Sequence, residues 1–170
     1  MKKFIAIACI LALCLGVLAA CGERITEPEY DPNAAVGVTL VYGETKIEVT
    51  AGQWEPVRTQ IKTADVSLGT SKEYEFTGVT LKSLMEIAGA NDCTTILVKS
   101  SDGWSAEVAA ADALAYDILI TDDYVGGKDI PADAGGPIKM VFPATEHPEL
   151  NDKYDTWAWQ WYVAEIEFVK

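Results

Sequence analysis

The sequence contains few of the residues from which common catalytic and metal centres are built. It has one histidine among 170 residues, and it carries no phosphate-binding loop, paired metal-ligand signature or nucleophile elbow. A catalytic triad or a multi-histidine metal site could be assembled only around that residue, His147. These absences remove the sequence signatures by which such enzymes are usually identified.

Basic residues are outnumbered two to one by acidic residues. The chain contains 13 lysine and arginine residues against 26 aspartate and glutamate residues, and its formal net charge is −13. A nucleic-acid backbone or an anionic lipid surface would repel such a chain. The composition therefore argues against nucleic acid as a partner, and an anionic substrate would need a local basic pocket.

The first twenty residues have the layout of a secretory leader. Two lysines follow the initial Met, residues 4–18 are apolar, and the leader closes with Leu18-Ala19-Ala20-Cys21. The apolar run is too short and wrongly flanked for a stable membrane span. The ending resembles a bacterial lipoprotein signal, which implies removal of residues 1–20 and lipidation of Cys21. We expect an extracytoplasmic protein attached to the bilayer through Cys21; the alternative is an ordinary signal peptide.

The other cysteines leave no pair for a disulfide. Cys9 and Cys14 lie in the predicted leader and Cys21 would carry lipid, so Cys93 has no partner within the chain. Cys93 directly precedes the run 94–98, which predicts a buried strand. We expect an inert core thiol there, with a reactive thiol as the alternative. Loss of the leader, which holds two lysines and no acid, would also take the net charge from −13 to −15.

Beyond the leader, the sequence predicts a flexible tether and one domain. Residues 21–35 are polar, contain two prolines and lack apolar periodicity. Residues 36–170 suit a single domain with a sizeable core. That domain begins with alternating apolar residues on both sides of Gly43-Glu44, which predicts a β-hairpin.

Helix and strand signals favour an α+β fold. Thr80 as N-cap, an apolar face over 81–88 and Gly89 as stop predict one helix, and residues 110–115 predict a second. Further strands are predicted over 94–99, 104–108, 138–142 and 157–169. Residues 51–75 show no clear period and are assigned to extended structure and loops. Several strands, two short helices and no strict βαβ alternation predict a single α+β domain with mixed β-sheets.

Four motifs follow one another along this domain. They are Phe-Thr-Gly-Val-Thr-Leu at 76–81, Ser-Asp-Gly-Trp at 101–104, Gly-Gly-Pro-Ile-Lys-Met-Val-Phe-Pro at 135–143, and Trp161 ahead of Ile166-Glu167-Phe168. In this order and spacing they resemble the sulfite-oxidase-like molybdopterin-binding domain, from about residue 36 to the end. The resemblance implies that fold, a molybdopterin cofactor and an oxidoreductase activity.

The residues of catalytic members are only partly present. The resemblance implies a molybdenum-ligating cysteine ahead of Phe76, but residues 50–78 contain no cysteine, and Cys93 follows the helix. Between Val49 and Phe76 there is one arginine, Arg58, and no histidine, although a phosphorylated pterin and oxyanion substrates call for clustered cationic donors. We therefore predict no metal ligand and leave the cofactor unknown, with molybdopterin implied by the resemblance alone.

Candidate ligand-binding residues come from the motifs and the loop that follows them. They are Asp102, Trp104, Gly135, Gly136, Lys139, His147, Tyr154 and Trp157.

Each candidate has a structural alternative. The glycine pair and Asp102 also occur commonly in tight turns, and Trp104 could simply pack against neighbouring side chains. Lys139 stands where the family tends to place a basic residue, but its alternation with apolar neighbours is also typical of a half-exposed strand.

The loop over 144–155 supplies the remaining candidates. His147 is interpreted either as a solvated loop histidine or, with Tyr154, Asp155 and Trp157, as part of a ligand-contacting rim.

Aromatic and acidic patterns allow further interpretations. Trp157, Trp159 and Trp161 alternate, which in a regular strand puts them on one face. That face is either core, since Val163 continues it, or a platform for a sugar, pterin or quinone-like ring. Five aspartates between 117 and 133 lack the spacing of a calcium loop and predict a solvated acidic face.

The sequence thus supports three hypotheses of function. The first is a membrane-anchored, non-catalytic module that binds a small molecule or a protein partner. The second is a molybdopterin-dependent oxidoreductase. The third is an adhesion or carbohydrate-binding protein that uses an aromatic face.

Overall fold

The alternating residues at the start of the domain form a β-hairpin in the computed structural model, which describes residues 36–124 and 127–170. Strand β1 (Gly37–Tyr42) pairs antiparallel with β2 (Thr45–Thr50), and Val38 lies opposite Val49. Val38, Leu40 and Val49 are buried, because every second residue of a strand faces the same side. The predicted hairpin is confirmed.

Within residues 36–124 and 127–170, eight further strands and four short helices follow. The other strands are β3 (Arg58–Ala64), β4 (Glu73–Thr80), β5 (Thr95–Ser100), β6 (Ser105–Ala109), β7 (Leu119–Tyr124), β8 (Lys128–Asp129), β9 (Lys139–Val141) and β10 (Val163–Val169). The helices are α1 (Ala51–Trp54), α2 (Leu81–Ala88), α3 (Ala110–Ala115) and α4 (Glu149–Lys153).

The strands form two sheets. The first has the order β2-β1-β10-β5-β6, in which β1 and β10 are parallel and the other pairs antiparallel. The second has the order β3-β4-β7-β8, and β9 also pairs with β7. With one parallel pair and helices of eight residues or fewer, the domain has the predicted α+β fold with a mixed sheet.

Helix α2 begins and ends where the sequence predicts. The Thr80 hydroxyl accepts a hydrogen bond from the Ser83 amide at 3.1 Å, and Gly89 ends the helix with a φ of 68°. Leu81, Leu84 and Met85 are fully buried and join the core. Within the described residues no helix is long and apolar enough to cross a membrane.

Three regions differ from the sequence-based expectation. The stretch 51–75 is extended in β3 and at the start of β4, as predicted, but it also contains the helix α1, which was not predicted. The predicted loop over 144–155 contains α4. The predicted last strand begins six residues later than expected, at Val163, because residues 156–158 form a 3-10 turn.

Candidate functional site

A cleft of about 380 Å³ opens where three chain segments meet. They are the 3-10 turn at 66–68 after β3, the turn between β5 and β6, and the irregular segment ahead of β10. The residues that line the cleft are Ser67, Ser100, Asp102, Trp104, Thr156, Trp157, Trp159, Gln160, Trp161 and Tyr162. Half of these are aromatic, and Asp102 is the only one that is charged at neutral pH.

Trp104 and Trp157 stack on each other in this cleft. Their ring centroids are 5.7 Å apart with an interplanar angle of 20°, and 62% and 71% of the two residues' surfaces are exposed. Each comes from a tight turn: Asp102 accepts a hydrogen bond from the Trp104 amide at 3.2 Å, and Asp155 accepts one from the Trp157 amide at 3.0 Å. Asp102 is thus both a turn residue and a cleft residue, and Trp104 is packed but largely exposed.

The expectation that three alternating tryptophans share one strand face is wrong. Trp157 lies in the 3-10 turn and is exposed, Trp159 is 2% exposed and packs at a tilt against Phe142, and Trp161 is half-buried in the cleft. Alternation needs an extended backbone to produce a face, and here the backbone is irregular until Val163. The row is therefore divided between core and cleft.

Trp161 is held in place by residues from two other segments. Its indole Nε1 donates to the Ser67 hydroxyl at 3.0 Å, and the Nζ of Lys139 lies 5.4 Å from its ring centroid. Gly135 packs so closely that a Cβ added there would lie 2.6 Å from Cγ of Trp161. The Gly135 carbonyl also accepts a hydrogen bond from the Tyr162 amide at 3.0 Å. These contacts leave the Trp161 indole little freedom.

The glycine pair forms a tight turn, as its alternative interpretation predicts. Gly135 has a φ of 94°, in the left-handed region that favours glycine. A Cβ on Gly136 would overlap the backbone carbonyl of Ile130, so this position also excludes a side chain. Neither glycine lines the cleft, but Gly135 lies directly behind Trp161.

The alternation of Lys139 with apolar neighbours predicts a half-exposed strand face, but the structure does not place Lys139 on such a face. It is fully buried, and its Nζ lies 2.6 Å from a carboxylate oxygen of the buried Asp65. The same Nζ donates to the Ser67 hydroxyl and to the Ala134 carbonyl, both at 3.1 Å. Burial lowers the pKa of Lys139, and the charge and hydrogen bond of Asp65 act in the opposite direction. The ammonium group is thus enclosed behind the cleft.

Most neutral polar groups of the cleft already have partners. The Ser67 hydroxyl donates to Asp65 at 2.6 Å and accepts from both Lys139 and Trp161, which uses its one donor and two acceptor positions. The Ser100 hydroxyl lies within hydrogen-bond distance of the Gln160 side chain and of the Trp161 carbonyl. These groups maintain the walls of the cleft.

His147 and Tyr154 do not line this cleft. His147 packs edge-on against Tyr116 at 4.8 Å, and its Nδ1 lies 3.4 Å from Glu149. Tyr154 is buried, with its hydroxyl bonded to Asp112; burial and this carboxylate raise the pKa of Tyr154. Of the predicted rim, Trp157 alone lines the cleft.

The residues considered for metal or anion binding are engaged elsewhere. Cys93 is 8% exposed, and burial raises the pKa of its thiol, as expected of an inert core cysteine. Arg58 pairs with Asp122 at 2.8 Å; burial lowers the pKa of Arg58, but the contacts with Asp122 outweigh it and raise the value. No group of three or more histidine, cysteine, aspartate or glutamate residues suitable for a metal occurs among residues 36–124 and 127–170.

Several cleft residues escaped the sequence analysis. Ser67, Ser100 and Thr156 are common residue types in undistinguished contexts, and Tyr162 adopts a φ of 53° that no motif announces. One sequence feature pointed to this cleft: Trp161 and the glycine turn both belong to the series of four motifs. The contact between them became visible only in three dimensions.

Comparison with known proteins gives a family match and a fold match. The family described as oxidoreductase molybdopterin binding domain matches residues 45–147. The fold is similar to the crystal structure of the sulfane dehydrogenase SoxCD from Paracoccus pantotrophus, with a TM-score of 0.57 and 14% sequence identity. That alignment covers 79% of this chain but only 38% of the SoxCD chain. No curated protein matches the sequence.

Proposed function

The chain belongs to the oxidoreductase molybdopterin-binding domain family, and from that premise we propose that it is a non-catalytic, ligand-binding member. In this proposal the aromatic cleft holds a small molecule, and the lipid on Cys21 anchors the extracytoplasmic protein to the bacterial cell envelope. The observation that carries the proposal is the chemistry of the cleft lining.

The residues of the cleft do not fit a molybdopterin group. A metal-ligating thiolate and cationic donors for the pterin phosphate are the groups such a cofactor needs. The segment ahead of Phe76 instead contributes Ser67, whose hydroxyl is fully hydrogen-bonded. No lysine, arginine or histidine is among the described lining residues, and Asp102 adds a negative charge. Lys139, whose Nζ contacts the lining residue Ser67, is enclosed and paired with Asp65.

Family membership itself favours a second candidate, an oxidoreductase. SoxCD is named as a dehydrogenase, and this chain aligns with 38% of its length. In such an enzyme a partner subunit would supply the metal ligand and the cationic donors that the cleft of this chain lacks. Such a protein would retain molybdenum and pterin when purified with its partner.

Cofactor content separates the two candidates. The full chain would be purified in mild detergent from its own bacterium under molybdenum-replete growth, together with any partner that stays bound, beside a family member that contains the ligand cysteine. Metal would be measured by mass spectrometry and pterin by fluorescence after oxidation. We expect background metal and pterin in this chain and both signals in the control enzyme. Stoichiometric molybdenum in this chain would contradict the non-catalytic proposal.

A further inference from the structure

The cleft combines aromatic walls with a single negative charge. Five of the ten lining residues are aromatic, and the carboxylate of Asp102 is the only ionised lining group in the described part of the chain. The whole chain adds a net charge of −13. An anionic ligand would be repelled by both the local and the global field, whereas a cation would be attracted by both.

The exposed aromatic faces suit a cation. Trp104 and Trp157 are stacked on each other and remain more than half exposed, so that their outer faces are available to a ligand. Tryptophan gives the strongest cation–π interaction of the aromatic side chains. Trp161 and Tyr162 add a second pair, at an interplanar angle of 87°. The cleft therefore offers aromatic surfaces in more than one orientation.

The hydrogen-bonding pattern disfavours a sugar. A saccharide needs free donors and acceptors that match its hydroxyl groups, because buried polar groups without partners are costly. In this cleft Ser67 is saturated, Ser100 contacts Gln160 and Trp161, and the Gln160 amide donates to the Trp157 carbonyl at 3.3 Å. Among the buried side chains of the described lining residues, the Nε1 of Trp159 alone has no partner, and one donor does not match the several hydroxyl groups of a sugar. A quaternary ammonium group needs no hydrogen bond and so places no such demand on the cleft.

The fixed position of Trp161 favours binding further. Its indole is held by Ser67, Lys139 and Gly135, and an aromatic ring that is already ordered loses little conformational entropy when a ligand binds. The buried Lys139 does not oppose a cation strongly, because Asp65 lies 2.6 Å from its Nζ and neutralises it within the wall.

From these observations we infer that the cleft binds a small organic cation of the quaternary-ammonium type. Trp104, Trp157 and Trp161 supply the aromatic surface, and Asp102 supplies the counter-charge. The inference rests on the proposed ligand-binding function and names the class of ligand for that same cleft.

A choline titration tests this assignment. Choline would be added to the full chain in detergent at low salt, with tryptophan fluorescence and calorimetry as readouts. Dimethylbutanol, the uncharged carbon isostere of choline, and glucose would be titrated in parallel. We expect choline to bind about tenfold more tightly than dimethylbutanol, which is the range of a desolvated cation–π contact. Higher ionic strength should weaken choline binding, because Asp102 is exposed.

Two variants and two controls assign the binding to the cleft. Asp102→Asn keeps the oxygen that accepts the Trp104 amide but removes the charge, and Trp157→Ala removes an exposed ring without opening the core. We expect each to weaken choline binding by about three- to tenfold. Asp117→Asn makes the same change in net charge at an exposed residue off the cleft, and Leu114→Ala removes an exposed apolar side chain elsewhere. Both controls should bind as the unmodified chain does.

The outcomes separate this inference from the proposed function. Equal binding of choline and dimethylbutanol, or binding of glucose alone, would overturn the cationic ligand class but leave a ligand-binding cleft. Choline binding that Asp102→Asn and Trp157→Ala do not weaken would overturn the assignment to the cleft. No response to any probe would overturn the inference, while molybdenum and pterin in the purified chain would overturn the proposed function itself.

Discussion

Lys139 carries an ammonium group into the interior, where an unpaired charge is costly. Asp65 offsets that cost through direct contact, and Ser67 and the Ala134 carbonyl accept the other hydrogen bonds. Replacing such a pair by apolar residues is often neutral or stabilising, so stability alone does not explain it. The ion pair instead positions neighbouring side chains. Lys139 donates a hydrogen bond to the Ser67 hydroxyl, and that hydroxyl accepts a second hydrogen bond from the Trp161 indole.

Gly135 is the residue whose replacement tests this arrangement. Gly135→Ala places a methyl group against the Trp161 ring and requires a φ of 94°, whereas Gly103→Ala requires a φ of 95° with nothing within 4 Å. The left-handed backbone should cost both variants about 1–2 kcal/mol. Overpacking should cost Gly135→Ala about 1–3 kcal/mol more. Urea unfolding measures both; equal destabilisation of the two variants would show that the ring moves away freely.

The elements differ in how clearly local sequence specifies them. Helix α2 was predictable because its ends depend on local interactions. The Thr80 hydroxyl caps the first turn, and Gly89 ends the helix by adopting a left-handed backbone. Strands β3 and β4 were predicted only as part of a stretch of extended structure and loops, because β3 shows no clear alternation and its order comes from pairing with β4 along seven registered positions. The 3-10 turn at Trp157 was missed because alternation of residue types is not itself evidence of an extended backbone.

The cleft was predictable only in part for the same reason. Asp102, Trp104 and Trp157 lie in segments that the motifs singled out, and the structure brings them together. His147 and Tyr154 are near Trp157 in sequence, yet the helix α4 between them directs both to other contacts. Proximity along the chain does not decide which side chains share a cleft when a helix begins inside the supposed loop.

Lys99 tests how far an ion pair stabilises the junction of β5 and β10. Its Nζ lies 2.8 Å from Glu165 and 2.6 Å from Glu167. The hydrogen bond that Lys99 donates lowers the pKa of Glu165 below its usual 4.5, and the hydrogen bonds that Glu165 and Glu167 accept raise the pKa of Lys99 above 10.5. The stabilisation is therefore present between about pH 4.5 and 10.5, and is lost below and above that range.

We expect Lys99→Met to lower the free energy of unfolding at pH 7 by about 0.5–1 kcal/mol, the size of a partly exposed cross-strand pair. The difference from the unmodified chain should vanish as the pH falls through the lowered pKa of Glu165. Urea unfolding at a series of pH values from 7 down to about 2 measures it. Lys82→Met, an exposed lysine on α2, serves as the control. A difference that stays undiminished across the whole series would assign the effect to the side-chain stem rather than to the charges.

For the whole molecule, charge determines what can hold it at a membrane. With 26 acidic against 13 basic residues, the chain gains no electrostatic attraction from an anionic bilayer. The lipid predicted on Cys21, which lies outside the described residues, would then be the main source of attachment, because acyl chains contribute through the burial of their methylene groups.

Cys21→Ser should consequently release the protein. In a bacterial host, the unmodified chain should partition with membranes and incorporate a labelled fatty acid, whereas Cys21→Ser should do neither. Cys93→Ser controls for the loss of a thiol, because Cys93 is buried and predicted to take no part in anchoring; it should stay with the membrane and keep the label. If Cys21→Ser stayed with the membrane after a salt wash, a second attachment would exist. Since the domain's charge opposes anionic lipid, that attachment would require apolar contact or a protein partner.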